Sequence, residues 1–314
     1  MGIKLEDFPI NGIDVSEFNG VIDWNRIKCD FSIIRVGFGR TADAKFHINW
    51  LNCKAKKAGY WYMDYYNNHI PGNPNYGLSD AEHGKRQAEV CWELIKADPS
   101  MVFLDIESTN GHYAPKIQEV KSRVMVIARA FLERIDELSG RVNGIYCSIS
   151  LLPWFYVWFI NRPVWVAWYN ESQTVESVLK QVKLNGWTGA CLMWQYASHG
   201  DVDSNGTFDG ITYFGTTELF MDLNAWTASQ ADFDKTFGVT TPDDEVIVIP
   251  QPEYKTYIVE VGVLSWLNIR EQPNTGSPIR GRLLRGAKVN VSNISNGWGK
   301  LHGQDLYVST QYLK

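Results

Sequence analysis

Over the first 225 positions, short continuous apolar runs alternate with stretches of helical spacing. The runs FSIIRVGF (31–38), YWYMDYY (60–66), MVFLDIE (101–107), VNGIYCS (142–148), PVWVAWY (163–169) and ACLMWQY (190–196) predict strands. Helices are predicted between most of them, at HINWLNCKAKK (47–57), DAEHGKRQAEVCWELIKA (80–97) and VKSRVMVIARAFLERIDEL (120–138). In the last of these, Val124, Ile127, Ala128, Phe131, Leu132 and Ile135 recur at helical spacing. Strands that are apolar throughout are covered on both faces, which means parallel strands flanked by helices. Six or more such units over 225 residues predict an α/β fold, an irregular (β/α) barrel of the TIM type, whose ordinary size is roughly 250 residues.

The pattern changes near residue 227. TASQADFDKTFGVTTPDDEVIVIPQPEY is polar, acidic and proline-bearing. It predicts a linker over 227–252, between a first domain (1–226) and a second (253–314). The tail has no helical period. Its short runs TYIVEVGV, SWLNIR, AKVNVSN, GWGKLH and DLYVST, with turn residues such as QPNTGSP between them, predict a small antiparallel β-barrel. The tail carries +4 while the whole chain carries −5, so an anionic surface is the expected partner of the tail.

Composition narrows the function classes. Five cysteines at 29, 53, 91, 147 and 191, with no CxxC pair, read as reduced thiols. Six histidines include no HExxH and no clustered pair, so neither a metal site nor a cofactor is expected. The longest apolar stretch, LLPWFYVWFI, is too short to span a bilayer, and the first residues carry no secretory pattern. Synthesis in the cytoplasm without a signal peptide, and no membrane insertion, are the expectations. GFGR lacks the glycine and Lys-Ser/Thr of a phosphate loop, and AKKAG and RLLRG are too short for a nucleic-acid patch.

The candidate chemistry lies in acids at the ends of apolar runs. Asp105 and Glu107 are two apart, so a strand points them the same way, and in a parallel barrel that end carries the chemistry. Two adjacent carboxyls repel when both are ionised, and one keeps its proton near neutral pH. A protonated acid beside an ionised one is the requirement for cleaving a glycosidic bond. Asp14 in NGIDVSEFNG and Asp222 in ELFMDLNAW also follow apolar runs, and all four acids converge only if the sheet closes. Thirteen Trp and fifteen Tyr serve either as core or as sugar-stacking surfaces. Tyr60, Tyr62, Tyr146, Trp168, Tyr169 and Gln195 sit near strand ends, where the second role is open to them.

These stretches resemble the glycoside hydrolase family 25 lysozymes, the N-acetylmuramidases. The matching segments are GIDVSEFNGVIDW (12–24), FSIIRVGFG (31–39), Asp43 with Phe46 and Asn49, then YWYMDYY, FLDIE, GIYCS, VWVAWY, MWQY and MDLN (221–224). The resemblance implies cleavage of the β-1,4 bond between N-acetylmuramic acid and N-acetylglucosamine in peptidoglycan. It implies Glu107 as proton donor, Asp105 as its neighbouring acid, and Asp14 and Asp222 as flanking acids. It also implies Tyr60, Tyr62, Tyr146, Trp168, Tyr169 and Gln195 as substrate-binding positions. LNIREQPNTGSPIRGRLLRGAKVNV with NGWGKL and YVSTQYL resembles a bacterial SH3 (SH3b) wall-binding domain, with DLYVS where that family usually has Gly-Trp-Val. The pairing of the two domains resembles a phage endolysin, whose role would be host lysis after release to the wall. Two other readings use the same scaffold: a wall-binding protein without catalysis, and a glycosidase for another polysaccharide.

Overall fold

A computed structural model of the chain describes residues 8–20, 22–25, 27–108, 115–170, 172–198, 221–238, 255–260, 266–301 and 306–314. The chain divides into two compact units.

The first unit is built on β1 (Asn11–Val15), β2 (Phe31–Phe38), β3 (Thr41–Ala42), β4 (Lys56–Tyr62), β5 (Val102–Asp105), β6 (Gly144–Ser148), β7 (Val164–Ala167), β8 (Cys191–Ala197) and β9 (Asp222–Trp226). Strand β3 is a two-residue hairpin partner at the end of β2. The other eight close into a barrel, because β1 pairs with both β2 and β9. Neighbours from β1 through β8 run parallel, while β9 is antiparallel to β8 and to β1. An all-parallel barrel was the expectation, and the closing strand departs from it.

The barrel is filled by its own side chains. Phe31, Ile33, Tyr60, Phe103, Tyr146, Trp165, Met193 and Trp226 form one buried cluster. Room for the large rings comes from glycines on neighbouring strands. A Cβ on Gly12 would lie 2.4 Å from the Phe31 ring, and one on Gly144 would lie 2.6 Å from the Phe103 ring. Outside the barrel run α1 (Phe46–Asn52), α2 (Asp80–Ile95), α3 (Lys121–Ser139) and α4 (Val175–Leu184). Helix α2 starts at Ser79, which forms a capping box with Glu82. In α3 the residues at helical spacing are all buried, and the helix stops at Gly140 in the left-handed region. Its Phe131 meets the outward-facing Trp61 of β4 at 6.3 Å between ring centroids.

Three sequence expectations shift. The first helix ends at Asn52, and β4 starts at Lys56, so the YWYMDYY strand lies four residues earlier than predicted. Asp64, which the period-two alternation of YWYMDYY places on the Tyr60–Tyr62 face, sits beyond the strand and is buried against His83 and Gln87 of α2. The stretch 227–252 is not all linker: Gln230–Phe237 forms α5, capped by Ser229 with Asp232. Phe233 and Phe237 of α5 close the barrel floor against Phe31 and Trp226, with centroids 5.1–6.1 Å apart.

The second unit is a six-stranded antiparallel sheet of β10 (Lys255–Ile258), β11 (Trp266–Arg270), β12 (Ile279–Leu284), β13 (Lys288–Ser295), β14 (Trp298–Leu301) and β15 (Tyr307–Ser309), ordered β10-β13-β14-β15-β11-β12. Val259, Leu267, Val289, Val291, Leu301 and Val308 form its core. Strand β12 was absent from the sequence reading. Its run IRGRLL alternates basic and small or apolar residues, a pattern that turn-rich surroundings obscured.

Candidate active site

The four acids read from the sequence meet at one end of the barrel. Asp14 is the fourth residue of β1, and Asp105 ends β5. Glu107 follows two residues later, where the Ile106 N–H still bonds to the Tyr146 carbonyl at 2.9 Å and keeps the strand extended. Asp222 begins β9 instead of ending a strand. Because β9 is antiparallel, its first residue lies beside the last residues of the others, and Asp222 pairs in register with Asp14. It reaches the common mouth by a route opposite to the predicted one.

Asp14 is 4% exposed and is held by two side-chain amides. Gln195 Nε2 donates to its Oδ2 at 2.8 Å, and Asn224 Nδ2 donates to the same oxygen at 2.7 Å. Each amide is in turn oriented from behind. The Tyr146 and Tyr169 hydroxyls donate to Gln195 Oε1 at 2.7 and 2.6 Å, and the Trp165 indole N–H donates to Asn224 Oδ1 at 2.8 Å. With their oxygens occupied by donors, both amides must turn N–H toward Asp14. Asp105 is equally buried, but its Oδ1 has no hydrogen-bond partner among the described residues. Glu107 is solvent-accessible at the mouth.

All four carboxyls hold their protons more tightly than free ones. Burial raises Asp14 to about 6, against the opposing pull of the Asn224 and Gln195 bonds. Burial, the Asp14 charge and a hydrogen bond to Asp14 raise Asp222 strongly, while the two amide donors on Asp14 favour its ionised form and leave the proton to Asp222. Burial first, then the charges of Glu107 and Asp14, raise Asp105 strongly, while the Arg35 cation pulls the other way. Desolvation and the Asp14 charge bring Glu107 to about 7. Asp14 and Glu107, at about 6 and about 7, are acids poised to trade protons near neutral pH.

The predicted binding residues divide by depth. Tyr60 and Tyr146 are buried in the barrel, packing on Trp165 at 6.0 and 4.3 Å, so they form the floor of the site. Tyr62 is half-buried beside Phe38 at 5.1 Å, and its hydroxyl reaches the Ser108 carbonyl at 3.4 Å. Trp168 is half-buried, with its backbone tied to Gln195 and to the Trp194 indole. Tyr169 is half exposed, at 54%, and connects the surface to Gln195.

Sequence reasoning missed the roles of Arg35, Asn224 and Trp165. Arg35 is 8% exposed, with Nε 2.6 Å from Asp43 Oδ2 and an Nη 2.6 Å from Glu17 Oε1. A lone charge inside the apolar run FSIIRVGF was its signal. Asn224 lies two residues after Asp222, hence on the same face of β9, and period-two reading finds it. Trp165 gives no sign in the sequence that its indole N–H has a partner. Among the described residues no group of three or more His, Cys, Asp or Glu suits a metal ion.

The model for Glycosyl hydrolases family 25 matches residues 13–205, and that for the Bacterial SH3 domain matches residues 265–314. The fold is similar to a family 25 glycosyl hydrolase from Bacillus anthracis, at 15% identity and TM-score 0.52, covering 75% of this chain and 97% of that one. It is also similar to the bacterial lysozyme from Streptomyces coelicolor, at 19% identity and TM-score 0.51, covering 73% and 96%. No curated protein matches the chain. A family match spanning well over half the chain, on a closed barrel whose mouth gathers Asp14, Asp105, Glu107 and Asp222, places this protein in glycosyl hydrolases family 25.

Proposed function

We propose that the chain is an N-acetylmuramidase that hydrolyses the β-1,4 bond between N-acetylmuramic acid and N-acetylglucosamine in peptidoglycan. The observation that carries the reading is the pair Asp105–Glu107 at the barrel mouth, with Glu107 raised to about 7 and open to solvent. Glu107 enters protonated and gives its proton to the leaving glycosidic oxygen. Asp105, on the same strand face, stabilises the cationic, oxocarbenium-like sugar that forms as the bond breaks, and that positive charge favours its ionised form against the burial that otherwise raises it. Glu107, now a base, takes a proton from water and completes hydrolysis. Asp14 carries a fixed negative charge beneath the reacting sugar, and Asp222 keeps the shared proton of that second pair.

The C-terminal unit holds the enzyme on the wall, raising the local concentration of catalytic sites there. A host-lysis role fits this two-module design, with the protein made in the cytoplasm and acting after release to the wall. A version ending at Gly238 keeps α5 on the barrel floor and tests the anchor: slower lysis of cells with undiminished cleavage of soluble fragments is expected.

Digestion of purified peptidoglycan, with mass spectrometry of borohydride-reduced products, tests the activity. Products ending in reduced muramic acid are expected from the wild type and none from Glu107→Gln. Products ending in reduced glucosamine would assign a different bond. No products from either protein would favour wall binding without catalysis.

A further inference from the structure

Phe18 is a large ring left 83% exposed, yet it sits in a turn at the barrel mouth that is held by hydrogen bonds on both sides. It lies four residues after Asp14, in the single 3₁₀ turn Glu17–Asn19 that leaves the end of β1. Ser16 and Asn19 close a capping box across that turn, and the Ser16 N–H donates to Asn19 Oδ1 at 2.8 Å. The Glu17 N–H donates to Asp43 Oδ2 at 2.9 Å, and the Glu17 carboxylate accepts from Arg35 and from the Ala44 N–H. The Arg35 guanidinium, itself fixed by Asp43 and Glu17, lies 4.8 Å from the Phe18 ring centroid.

Exposing a ring costs about what burying it would gain, and an unsupported one would fold onto the nearest apolar surface. Here the backbone is pinned on both sides and a cation braces the ring. Arg35 lies in register with Tyr60 of β4 and one residue past the Val15–Ile34 pair of β1 and β2, so the ring stands at the same end of the barrel as the acids. A flat, pre-positioned aromatic surface on the rim of a glycan-cleaving site suits the C–H face of a pyranose ring.

We propose that Phe18, braced by the Arg35–Glu17–Asp43 clamp, is a platform that stacks a sugar ring of the glycan strand flanking the scissile bond. This rests on the muramidase reading and adds to it a binding subsite. Arg35 thereby serves two ends at once: it supports the platform from below and biases the acids beside it.

The test uses the full chain. Steady-state cleavage of uncrosslinked glycan strands is measured for the wild type, Phe18→Ala and Phe18→Trp, and strand binding is measured by calorimetry with the same changes in a Glu107→Gln background. Phe18→Ala is expected to raise KM and weaken binding by roughly 5–20-fold, with kcat within about twofold. Phe18→Trp should restore or exceed wild-type affinity. Because the ring is mostly exposed, the melting temperature of Phe18→Ala should stay within about 2 °C of wild type. Affinity and KM unchanged in Phe18→Ala would overturn the platform, as would a loss of affinity matched by a fall in melting temperature or left unrescued by Trp. If the wild type neither cleaves nor binds the strands, the muramidase reading itself fails, and the two failures are told apart by the wild-type arm.

Discussion

Two carboxyl pairs share the barrel mouth, and their surroundings differ. In the Asp14–Asp222 pair, strand register sets the partners side by side, and two amides aimed from behind by Tyr146, Tyr169 and Trp165 select Asp14 as the acceptor. The donors on Asp14 favour its ionised form and leave the shared proton to Asp222. In the Asp105–Glu107 pair, Asp105 Oδ1 has no donor among the described residues, and Glu107 faces solvent. That proton has no fixed home. The difference separates a charge that must stay in place from an acid that must give up its proton and take one back. Hydrogen bonds to the ionised form achieve the first, while partial desolvation beside the Asp14 charge achieves the second.

The sharpest break of this comparison is Glu107→Gln. It should lower kcat by ~10²–10⁴-fold, the usual range for loss of a general acid, with circular dichroism unchanged. A kcat within twofold of wild type would transfer the acid role to the other pair. Next in size is the alkaline limb of activity. With Glu107 at about 7, turnover should fall roughly tenfold per pH unit above that value as the acid loses its proton. A flat profile to pH 9 would show that Glu107 is not the group that titrates.

Trp165→Phe sharpens the other side. It keeps the ring and removes the N–H that aims Asn224, which can then turn its oxygen toward Asp14. Asp14 loses one of the bonds that hold it down, so it titrates above its present value of about 6. The expected result is an acidic limb of kcat moved upward by about half a unit to one unit. A uniform drop in activity with an unmoved limb would mean that Trp165 only packs the core.

The smallest effect is on stability. Asp14 and Glu107 bind protons more tightly folded than unfolded, so their contribution is fully present below about pH 4 and is lost as pH rises through about 6 and 7. The melting temperature should therefore fall by a few degrees between pH 5 and pH 8, as read by calorimetry, and the slope should flatten in Glu107→Gln. A melting temperature that rises over this range would contradict the raised values.

Much of the site was legible because strands alternate. Asp105 and Glu107 share a face by period alone, and the apolar run before them fixed that face as the barrel interior. Helix α3 was legible from Val124 through Ile135, where every residue at helical spacing is buried. Strand β4 was misplaced by four residues, because Gly59 reads as the break before YWYMDYY, whereas it lies inside the strand. Helix α5 was read as linker, because its short amphipathic pattern lies inside an acidic stretch and only the barrel floor supplies a partner for Phe233 and Phe237.

The sequence by itself determined most of the barrel's elements, the family and the four candidate acids, since local periodicity and motif spacing are properties of the chain alone. Only the tertiary structure decided that β9 runs backwards. That reversal brings Asp222 beside Asp14 from the start of a strand, and it places Asn224 where its amide meets the same carboxylate. Proton affinities likewise belong to the closed barrel. They depend on burial and on charges brought together from residues as far apart as Asp14 and Asp222, and neither is a property of any stretch of chain read alone.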